Sequence, residues 1–314
     1  MASSRKKKRA RVYDLAFPVF RALIGLVRRM PRRVALAFGA RCGDIAYYIL
    51  PQRRRVAHRN LDIAYGESMS RGDRYRIVRR SFRNIGMDTV EFLRWDDLDA
   101  EYFRRHVEIQ GLEHVRAAFA RGQGVVAISA HLGHFQLIAA ALNKLGIGRC
   151  LVVGRTIKAS RFDAEIRRLR EAAGIWSLPP KNAILPIYLA LRRNDAVGIV
   201  MDQNIGWARA VFVDFFGKPA ATTPGAAIVA GRRETTVLGC FAVRLKDLSH
   251  RIVFTEPIPY VRLDDPDETV LENTRRYTCL IEAWVRRHPD QWFWLHRRWR
   301  TRPQEEWGTP NPYD

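Results

Sequence analysis

A histidine at the end of an apolar run is the first residue of this chain whose position could support chemistry. The segment ISAHLGHFQLI, residues 128–138, places His131 directly after the apolar stretch VVAISA and before Gly133 and a helix-like run. At such a junction the imidazole can project into a crevice, and the helix N-terminus disfavours its protonated form. Both features suit a base that removes a proton from an attacking hydroxyl. A lone histidine is more often structural, so His131 is a candidate general base beside that plainer alternative.

Polar residues also follow two later apolar runs. Asp202 and Gln203 end the run VGIVMD, and Arg155 and Lys158 come at and after the end of CLVVGR. Ligands gather at the carboxyl ends of parallel strands, so these side chains are expected near the same crevice. A carboxylate there could pair with His131, bind a cation or cap the next turn. Arginine and lysine could grip a phosphate, or they could simply be solvated.

The elements that must position these residues alternate between strand and helix. Short apolar runs predict strands at 125–130, 150–155, 196–202, 236–245 and 251–259. Helical patterns lie around 161–173, 183–193, 223–233 and 267–288. This alternation predicts an α/β fold with a mostly parallel sheet flanked by helices. We expect a single domain over 34–314, with a helical part at 34–120 and an α/β core at 121–314.

The first 33 residues predict a basic tail and an amphipathic helix that associates with a membrane. The apolar part, 15–27, is interrupted by Pro18 and Arg21 and is shorter than the ~20 residues of a membrane span. Basic residues that follow it could contact anionic headgroups: Arg28, Arg29, Arg32 and Arg33. The alternative is an ordinary packed helix with a solvated basic end.

The charge balance of the chain favours anionic partners. Its 314 residues include 54 Lys and Arg against 32 Asp and Glu, which gives a net charge of +22. Such a protein attracts nucleic acid, an anionic membrane face or an acidic carrier protein, and composition does not choose among them.

The four cysteines predict neither disulfides nor a metal site. Cys42, Cys150, Cys240 and Cys279 lie far apart and form no CxxC pair. A reduced, cytosol-facing environment is therefore expected, and no metal is predicted.

The segment QWFWLHRRWR near the C-terminus interleaves aromatic and basic residues. Trp292, Trp294 and Trp299 could stack on single-stranded nucleic acid or lie at a membrane interface. They could also form a packed brace, which we favour for at least two of them, with His296 as a structural residue.

Several stretches together resemble the lysophospholipid acyltransferases, in particular the bacterial lipid A biosynthesis (lauroyl/myristoyl) acyltransferase branch. HLGHFQ resembles that family's histidine, four residues and an acid, with Gln136 in the acid's place. The resemblance continues in order over about 50–303. It is carried by RRVAHRNLDIAYGE, RRSFRNIGMDTVEFLR, VVGRTIKAS, GIVMDQNIG, VFVDFFGKPAATTPGAA and HPDQWFWLHRRWRTRP.

The resemblance implies a glycerol-3-phosphate-acyltransferase-like fold and a transferase of lipid biosynthesis. Such an enzyme would move a fatty acyl chain from acyl carrier protein or CoA to a hydroxyl of a membrane glycolipid, such as a lipid A precursor of lipopolysaccharide. It would need no cofactor and would lie, as a peripheral or monotopic protein, on the cytoplasmic face of the cell inner membrane. Expected partners are acyl carrier protein and anionic membrane lipids, and no nucleic acid. Open alternatives are another acceptor (a lysophospholipid, a phosphatidylinositol mannoside or an aminolipid), a catalytically weakened lipid-binding homologue and, remotely, a nucleic-acid-binding protein.

The resemblance also implies roles for individual residues. His131 would be the base, and Gln136 could fix its tautomer but would carry no charge. Asp202 is the first substitute for that charge, and Asp214 is the second. Arg155 and Lys158 would contact the phosphorylated headgroup of the acceptor. The other candidate substrate contacts come from the residues themselves: His134 could bind an acceptor group or cap the helix, and Gln203 ends its strand near the same crevice. Phe215 and Phe216 could line an acyl channel and Gly217 and Thr222 could donate to the oxyanion, or the segment FFGKPAATTPGAA could be a packed turn.

Overall fold

The computed structural model describes residues 17–154, 161–179, 183–233 and 235–314. Its centre is a seven-stranded sheet in the order β1-β9-β8-β2-β5-β3-β4. The strands are β1 (Val107–Gln110), β2 (Val125–Ser129), β3 (Cys150–Val153), β4 (Trp176–Leu178), β5 (Ala196–Val200), β8 (Thr236–Arg244) and β9 (His250–Pro257), and a separate hairpin joins β6 (Val211–Phe215) to β7 (Lys218–Thr222). Neighbouring strands of the sheet run parallel except β8 and β9. The α/β fold predicted from the sequence is confirmed.

Helices cover both faces of this sheet. They are α1 (17–29), α2 (Arg32–Ile49), α3 (Pro51–Tyr65), α4 (Arg71–Leu93), α5 (Ala100–His106), α6 (Leu112–Ala120), α7 (Gln136–Lys144), α8 (Arg161–Ala172), α9 (Ile184–Arg192), α10 (Gly225–Arg233) and α11 (Pro266–Arg287). Alternate residues of β2 enter two different cores. Val126 and Ile128 pack with α3, α9 and α11, whereas Val125 and Ala127 pack with α6 and α7. All five residues of β2 are buried, as expected for a strand covered on both faces.

Three strand regions were not predicted from the sequence. β1 lies inside the part predicted to be helical, 34–120, where its VEIQ pattern is short and half-buried and pairs only with β9. β4 has three residues at the sheet edge. The β6–β7 hairpin turns at Phe216 and Gly217, which both have positive φ angles. Short strands at edges give little periodicity, because few of their residues are fully buried.

The N-terminal helix α1 packs against the domain through one face. Ile24 and Val27 are buried with Leu93 and other apolar residues of α4 and α8. Arg28 forms an ion pair with Asp96, so it is not free for a headgroup.

Arg32, at the start of α2, is likewise taken up inside the protein, since it donates to Glu91 at 2.7 Å. The expectation that all four arginines face headgroups is therefore wrong for Arg28 and Arg32. Within the described ranges, no helix is long and apolar enough to cross a membrane.

Candidate active site

Strand register brings His131 and Asp202 together. Ser129, at the end of β2, is paired with Val200, at the end of the parallel strand β5. His131 and Asp202 each lie two residues further along, so they meet at the carboxyl edge of the sheet. Asp202 Oδ1 lies 2.8 Å from His131 Nδ1, and Asp202 Oδ2 accepts the backbone N–H of His131 at 2.9 Å. One carboxylate therefore holds both the ring and the backbone of the histidine.

Asp202 is a buried carboxylate with well-defined donors. Its residue is 3% exposed, and the indole N–H of Trp292 donates to Oδ2 at 2.6 Å. Burial alone would raise the pKa of Asp202, but the His131 ring and these donors lower it below its ordinary value. Asp202 is thus ionised at neutral pH and can stabilise positive charge on His131.

His131 keeps one ring nitrogen for chemistry. Its side chain is 28% exposed, and Nε2 makes no hydrogen bond to any described residue. The ring packs against Phe135 at 4.9 Å between centroids and lies 6.3 Å from Phe293. When Nδ1–H donates to Asp202, the neutral imidazole presents the lone pair of Nε2. This geometry lets His131 accept a proton from a bound hydroxyl.

The C-terminal segment packs beneath this pair. Trp292, Trp294 and Trp299 are all buried, which confirms that they form a packed brace and leaves them unable to stack on bases. His296 accepts the backbone N–H of Asn204 through Nε2 at 3.0 Å, and burial lowers its pKa to about 4.

Arg298 is a fully buried cation in the same segment. It donates to the carbonyl oxygen of Ala221 and to Thr222 Oγ1, at 2.7 Å and 2.5 Å. Burial lowers the pKa of Arg298 to about 10, while the nearby charge of Asp202 opposes that shift. The described residues contain no group of three or more His, Cys, Asp or Glu that could hold a metal ion.

Comparison with known proteins decides the family. Residues 3–301 match the family described as bacterial lipid A biosynthesis acyltransferase. The chain belongs to that family. The lipid A biosynthesis lauroyltransferase of Escherichia coli (strain K12) is 28% identical over 299 residues, 93% of this chain and 92% of the relative. The lipid A biosynthesis palmitoleoyltransferase of the same strain is 25% identical over 283 residues, 88% and 89% of the two chains.

A solved structure that resembles the chain is the 1-acyl-sn-glycerophosphate acyltransferase from Thermotoga maritima. It covers 78% of this chain and 97% of its own, with 12% identity and a TM-score of 0.32. The family resemblance inferred from the motifs is confirmed by the family match, and the protein is an acyltransferase.

In this acyltransferase, Gln136 does not take the acid's place beside the histidine. It is the first residue of α7, and its Oε1 accepts a hydrogen bond from Arg170 Nε on α8 at 3.2 Å. The single N–H that His131 Nδ1 can offer is directed at Asp202 instead. The role predicted for Gln136 is therefore corrected: it joins two helices, and Asp202 orients the ring.

The contact predicted between His134 and the acceptor is also corrected. His134 is 3% exposed, accepts the indole N–H of Trp95 at 3.4 Å and lies against the His250 ring. Burial lowers the pKa of His134 to about 4, so it is neutral at pH 7. Gln203 is half-buried beside Asp202, and its predicted contact with the acceptor stays a prediction.

The residues predicted to line an acyl channel belong to the core instead. Phe215 is fully buried against Trp292 and Trp299, and Phe216 packs on Tyr65 and Trp294. Large apolar side chains in this hairpin are needed to cover the tryptophans of the brace.

The predicted oxyanion donors are engaged elsewhere as well. The N–H of Gly217 donates to Asp214 Oδ1 at 2.7 Å in the exposed turn of the β6–β7 hairpin. Thr222 is fully buried, donates to the carbonyl of Ala220 and accepts from Arg298. Neither group is available to an oxyanion. Asp214 lies on β6 and accepts the N–H of Gly217, so of the two carboxylates it is Asp202 that contacts His131.

Arg155 and Lys158, predicted to bind a phosphorylated headgroup, lie outside the described residues. The strand that leads to them, β3, is adjacent to β5 and parallel to it. The hydrogen bond from Trp292 to Asp202 is a contact at this site that sequence reasoning missed. Nothing local to it signals a bond to an acid 90 residues earlier in the chain.

Proposed function

We propose that this acyltransferase moves a fatty acyl chain from an acyl thioester to a hydroxyl of a lipid A precursor, with His131 as the general base. The proposal rests on the geometry of His131 and Asp202. His131 Nδ1 is hydrogen-bonded to the buried carboxylate of Asp202, while the His131 ring remains partly exposed. The names of the two Escherichia coli relatives, both lipid A biosynthesis acyltransferases, support the acceptor class.

The reaction follows from this geometry in two steps. His131 Nε2 takes the proton of the acceptor hydroxyl as its oxygen attacks the thioester carbonyl, and Asp202 stabilises the imidazolium that forms. The tetrahedral oxyanion then collapses, the carbon–sulfur bond breaks, and the imidazolium returns its proton to the leaving thiolate. The products are an ester and a free thiol, and the chain needs no covalent acyl-enzyme and no cofactor.

The donor is proposed to be acyl carrier protein, with CoA as the alternative thioester. A net charge of +22 would speed the approach of an acidic carrier by electrostatic steering. Steering predicts that kcat/KM with acyl carrier protein falls steeply as salt increases, and far more than it does with acyl-CoA. Equal salt dependence for both donors would remove the argument for the carrier.

The acceptor is tested with purified full-length protein. Wild type and His131→Ala are incubated with acyl donors and with a lipid A precursor, a lysophospholipid, a phosphatidylinositol mannoside and an aminolipid, and the products are identified by mass spectrometry. We expect the wild type to acylate the lipid A precursor and the variant to be inactive. Preference for another acceptor would replace the proposed substrate, and no transfer to any of them would support a lipid-binding homologue.

The enzyme is proposed to act on the cytoplasmic face of the inner membrane, docked through an exposed stripe on α2. Val34, Ile45, Tyr48 and Ile49 recur at helical spacing on the solvent side of α2, and Ile49 is 67% exposed. Exposed arginines border this docking stripe at Arg41, Arg53 and Arg55. Apolar residues beside basic ones suit a surface of anionic lipid.

The docking stripe and the active site belong to one packed unit. Asn60 on α3 donates to the carbonyl oxygens of Trp294 and His296, at 2.6 Å each. An α3 anchored in this way, directly after α2, links the stripe to the segment beneath His131.

Sedimentation with vesicles that contain phosphatidylglycerol tests the docking stripe. Ile45→Asp with Ile49→Asp should reduce binding about tenfold or more, because two apolar side chains are lost and two like charges face the lipid. Leu271→Asp, at an exposed apolar residue of α11, is the matched control and should bind like wild type. If all three proteins bind equally, the stripe is not the docking surface.

A further inference from the structure

Residues 289–299 form a strap that holds the backbone on both sides of His131. Leu132 and Trp292 form an antiparallel bridge. The N–H of Phe293 donates to the carbonyl of His131 at 3.0 Å, and the N–H of Gly133 donates to the carbonyl of Gln291 at 2.9 Å. The base therefore lies on a segment that is hydrogen-bonded to this C-terminal strap.

The C-terminal strap is itself anchored to the sheet. Gln291 Oε1 accepts the N–H of Arg244, and Gln291 Nε2 donates to the Arg244 carbonyl, at 2.8 Å and 2.9 Å. Gly133 has a φ of +53°, and a Cβ there would lie 2.2 Å from the Ala242 carbonyl oxygen. The backbones at Gly133, Gln291 and Ala242 of β8 are therefore closely packed, which fixes the position of the His131 loop relative to β8.

Trp292 adds a bond from the C-terminal strap to the acid. Its indole N–H donates to Asp202 Oδ2 at 2.6 Å, on the oxygen that also accepts the backbone N–H of His131. The indole is 2% exposed and packs edge-on against Trp294, with Phe215 on another side. It cannot turn away without disturbing the core, so Oδ2 is held and Oδ1 is left for His131 Nδ1.

We propose that Trp292 is a positioning residue that sets the orientation of Asp202 and, through it, of the His131 ring. The proposal rests on the proposed function. An indole N–H is a neutral donor that does not titrate. It can fix the carboxylate without cancelling its charge, whereas an arginine at the same place would compete with the imidazolium for that charge.

The matched test compares Trp292→Phe with Trp294→Phe. Trp294 is also buried in the C-terminal strap and also donates through its indole at 2.6 Å, but to the carbonyl of Pro289. Trp292→Phe should lower kcat roughly ten- to a hundredfold with little change in KM, as expected for a lost hydrogen bond to a charged group. Trp294→Phe should keep kcat within about threefold, since it removes only a hydrogen bond to a neutral carbonyl group and leaves the bonds to Asp202 intact.

Two further readouts separate positioning from general loss of stability. In Trp292→Phe the acidic limb of the kcat/KM profile should move to lower pH, because a carboxylate that is no longer held against the ring stabilises the imidazolium less. Trp294→Phe should keep the wild-type profile even if its melting temperature falls. In an Asp202→Asn background, Trp292→Phe should have almost no further effect on kcat. Equal losses in both single variants, or full additivity with Asp202→Asn, would overturn the proposal.

If Trp292→Phe does not fold, or if the acceptor is not a lipid A precursor, the role of Trp292 can be tested on wild-type protein. In protein labelled with ¹⁵N-tryptophan, one indole N–H signal should shift with pH through the titration of His131, and this response should disappear in His131→Ala. The response requires no turnover, so it distinguishes a wrong contact from a wrong substrate. If none of the indole signals follows the His131 titration, Trp292 does not position the pair.

Discussion

The His131–Asp202 and His250–Glu91 pairs bring the same two groups to similar distances, 2.8 Å and 3.0 Å, in different surroundings. The His131 side chain is 28% exposed, whereas that of His250 is completely buried. Both rings bond a buried carboxylate. Only the first pair can meet a substrate, so hydrogen-bonding distance alone does not identify a catalytic histidine.

Asp202 and Glu91 also differ in the groups that hydrogen-bond to them. Glu91 accepts from Arg244 at 2.6 Å and from Arg32 at 2.7 Å, in addition to His250. Burial would raise the pKa of Glu91, but His250 and Arg244 hold it well below its ordinary value. Asp202 is hydrogen-bonded to His131 and to the neutral indole of Trp292. A carboxylate that is hydrogen-bonded to no arginine and to one imidazole can support a base, and a carboxylate that is hydrogen-bonded to two arginines supports the fold.

The largest expected contrast is between His131→Ala and His250→Gln. His131→Ala should lower kcat roughly 10⁴-fold with an unchanged melting temperature, because it removes the base from a partly exposed site. His250→Gln should lower the melting temperature while kcat at permissive temperature stays near wild type. Steady-state kinetics and calorimetry of both proteins check this. More than a tenth of wild-type activity in His131→Ala would rule out the proposed base.

Asp202→Asn should have the next largest effect. The amide cannot stabilise the imidazolium and favours the wrong tautomer, so kcat should fall roughly 10³-fold. The folded fraction, measured by circular dichroism, should remain near wild type. A loss below about tenfold would mean that the charge of Asp202 is not used in the transition state.

Arg244→Met tests whether the buried network around His250 and Glu91 stabilises the fold. Removing this guanidinium leaves Glu91 and Asp88 without their buried cation, and the free energy of unfolding should fall by about 3–5 kcal/mol. Denaturant titration measures the loss. Arg300→Met, at an exposed position, should change stability by less than about 0.5 kcal/mol, and equal stability of the two variants would contradict this account.

Acid should weaken the fold through histidines that are buried neutral. The pKa values of His134 and His296 are lowered to about 4, so between that pH and their ordinary range the unfolded chain binds more protons than the folded one. The stabilising contribution of each neutral histidine is therefore fully present above about pH 6.5. Between about pH 6.5 and pH 4 the free energy of unfolding falls by up to about 1.4 kcal/mol per pH unit for each histidine. Unfolding of His134→Asn at several pH values should show a shallower slope, and an unchanged slope would refute its contribution.

Gln136→Glu should have the smallest effect, although the family pattern suggests otherwise. The new carboxylate would face Arg170, which already donates to position 136, and not His131. We expect kcat to stay within about threefold of wild type, since a half-exposed ion pair contributes little. A large gain in rate would show that an acid at position 136 reaches the histidine.

The features that depend on residues close together in the chain were predicted correctly from the sequence. The strand before His131, the helix after it and the alternation of the core follow from local apolar patterns, and all three are observed. The linear spacing from His131 to Gln136 pointed to the wrong partner. Asp202 was a candidate because it ends a strand, but only the pairing of Ser129 with Val200 brings it to the ring.

The rest of the site depends on packing between distant segments. Phe215 and Phe216 were assigned to an acyl channel because a Phe-Phe pair has no other chemistry to suggest, and their burial is decided by the tryptophans of the strap. Glu91 was missed although it lies among apolar residues of α4. A charged residue at such a position is the one local sign of a buried ion network.

The bond from Trp292 to Asp202 has a consequence for biosynthesis. A ribosome adds residues in order, so α1 and the docking stripe leave the exit tunnel long before the segment that fixes the base. While the strap is still unmade, the nascent chain has His131 and Asp202 but lacks the donor that orients them. The orientation of the pair thus arises only after the strap has been synthesised, when α1 and α2 have already left the tunnel.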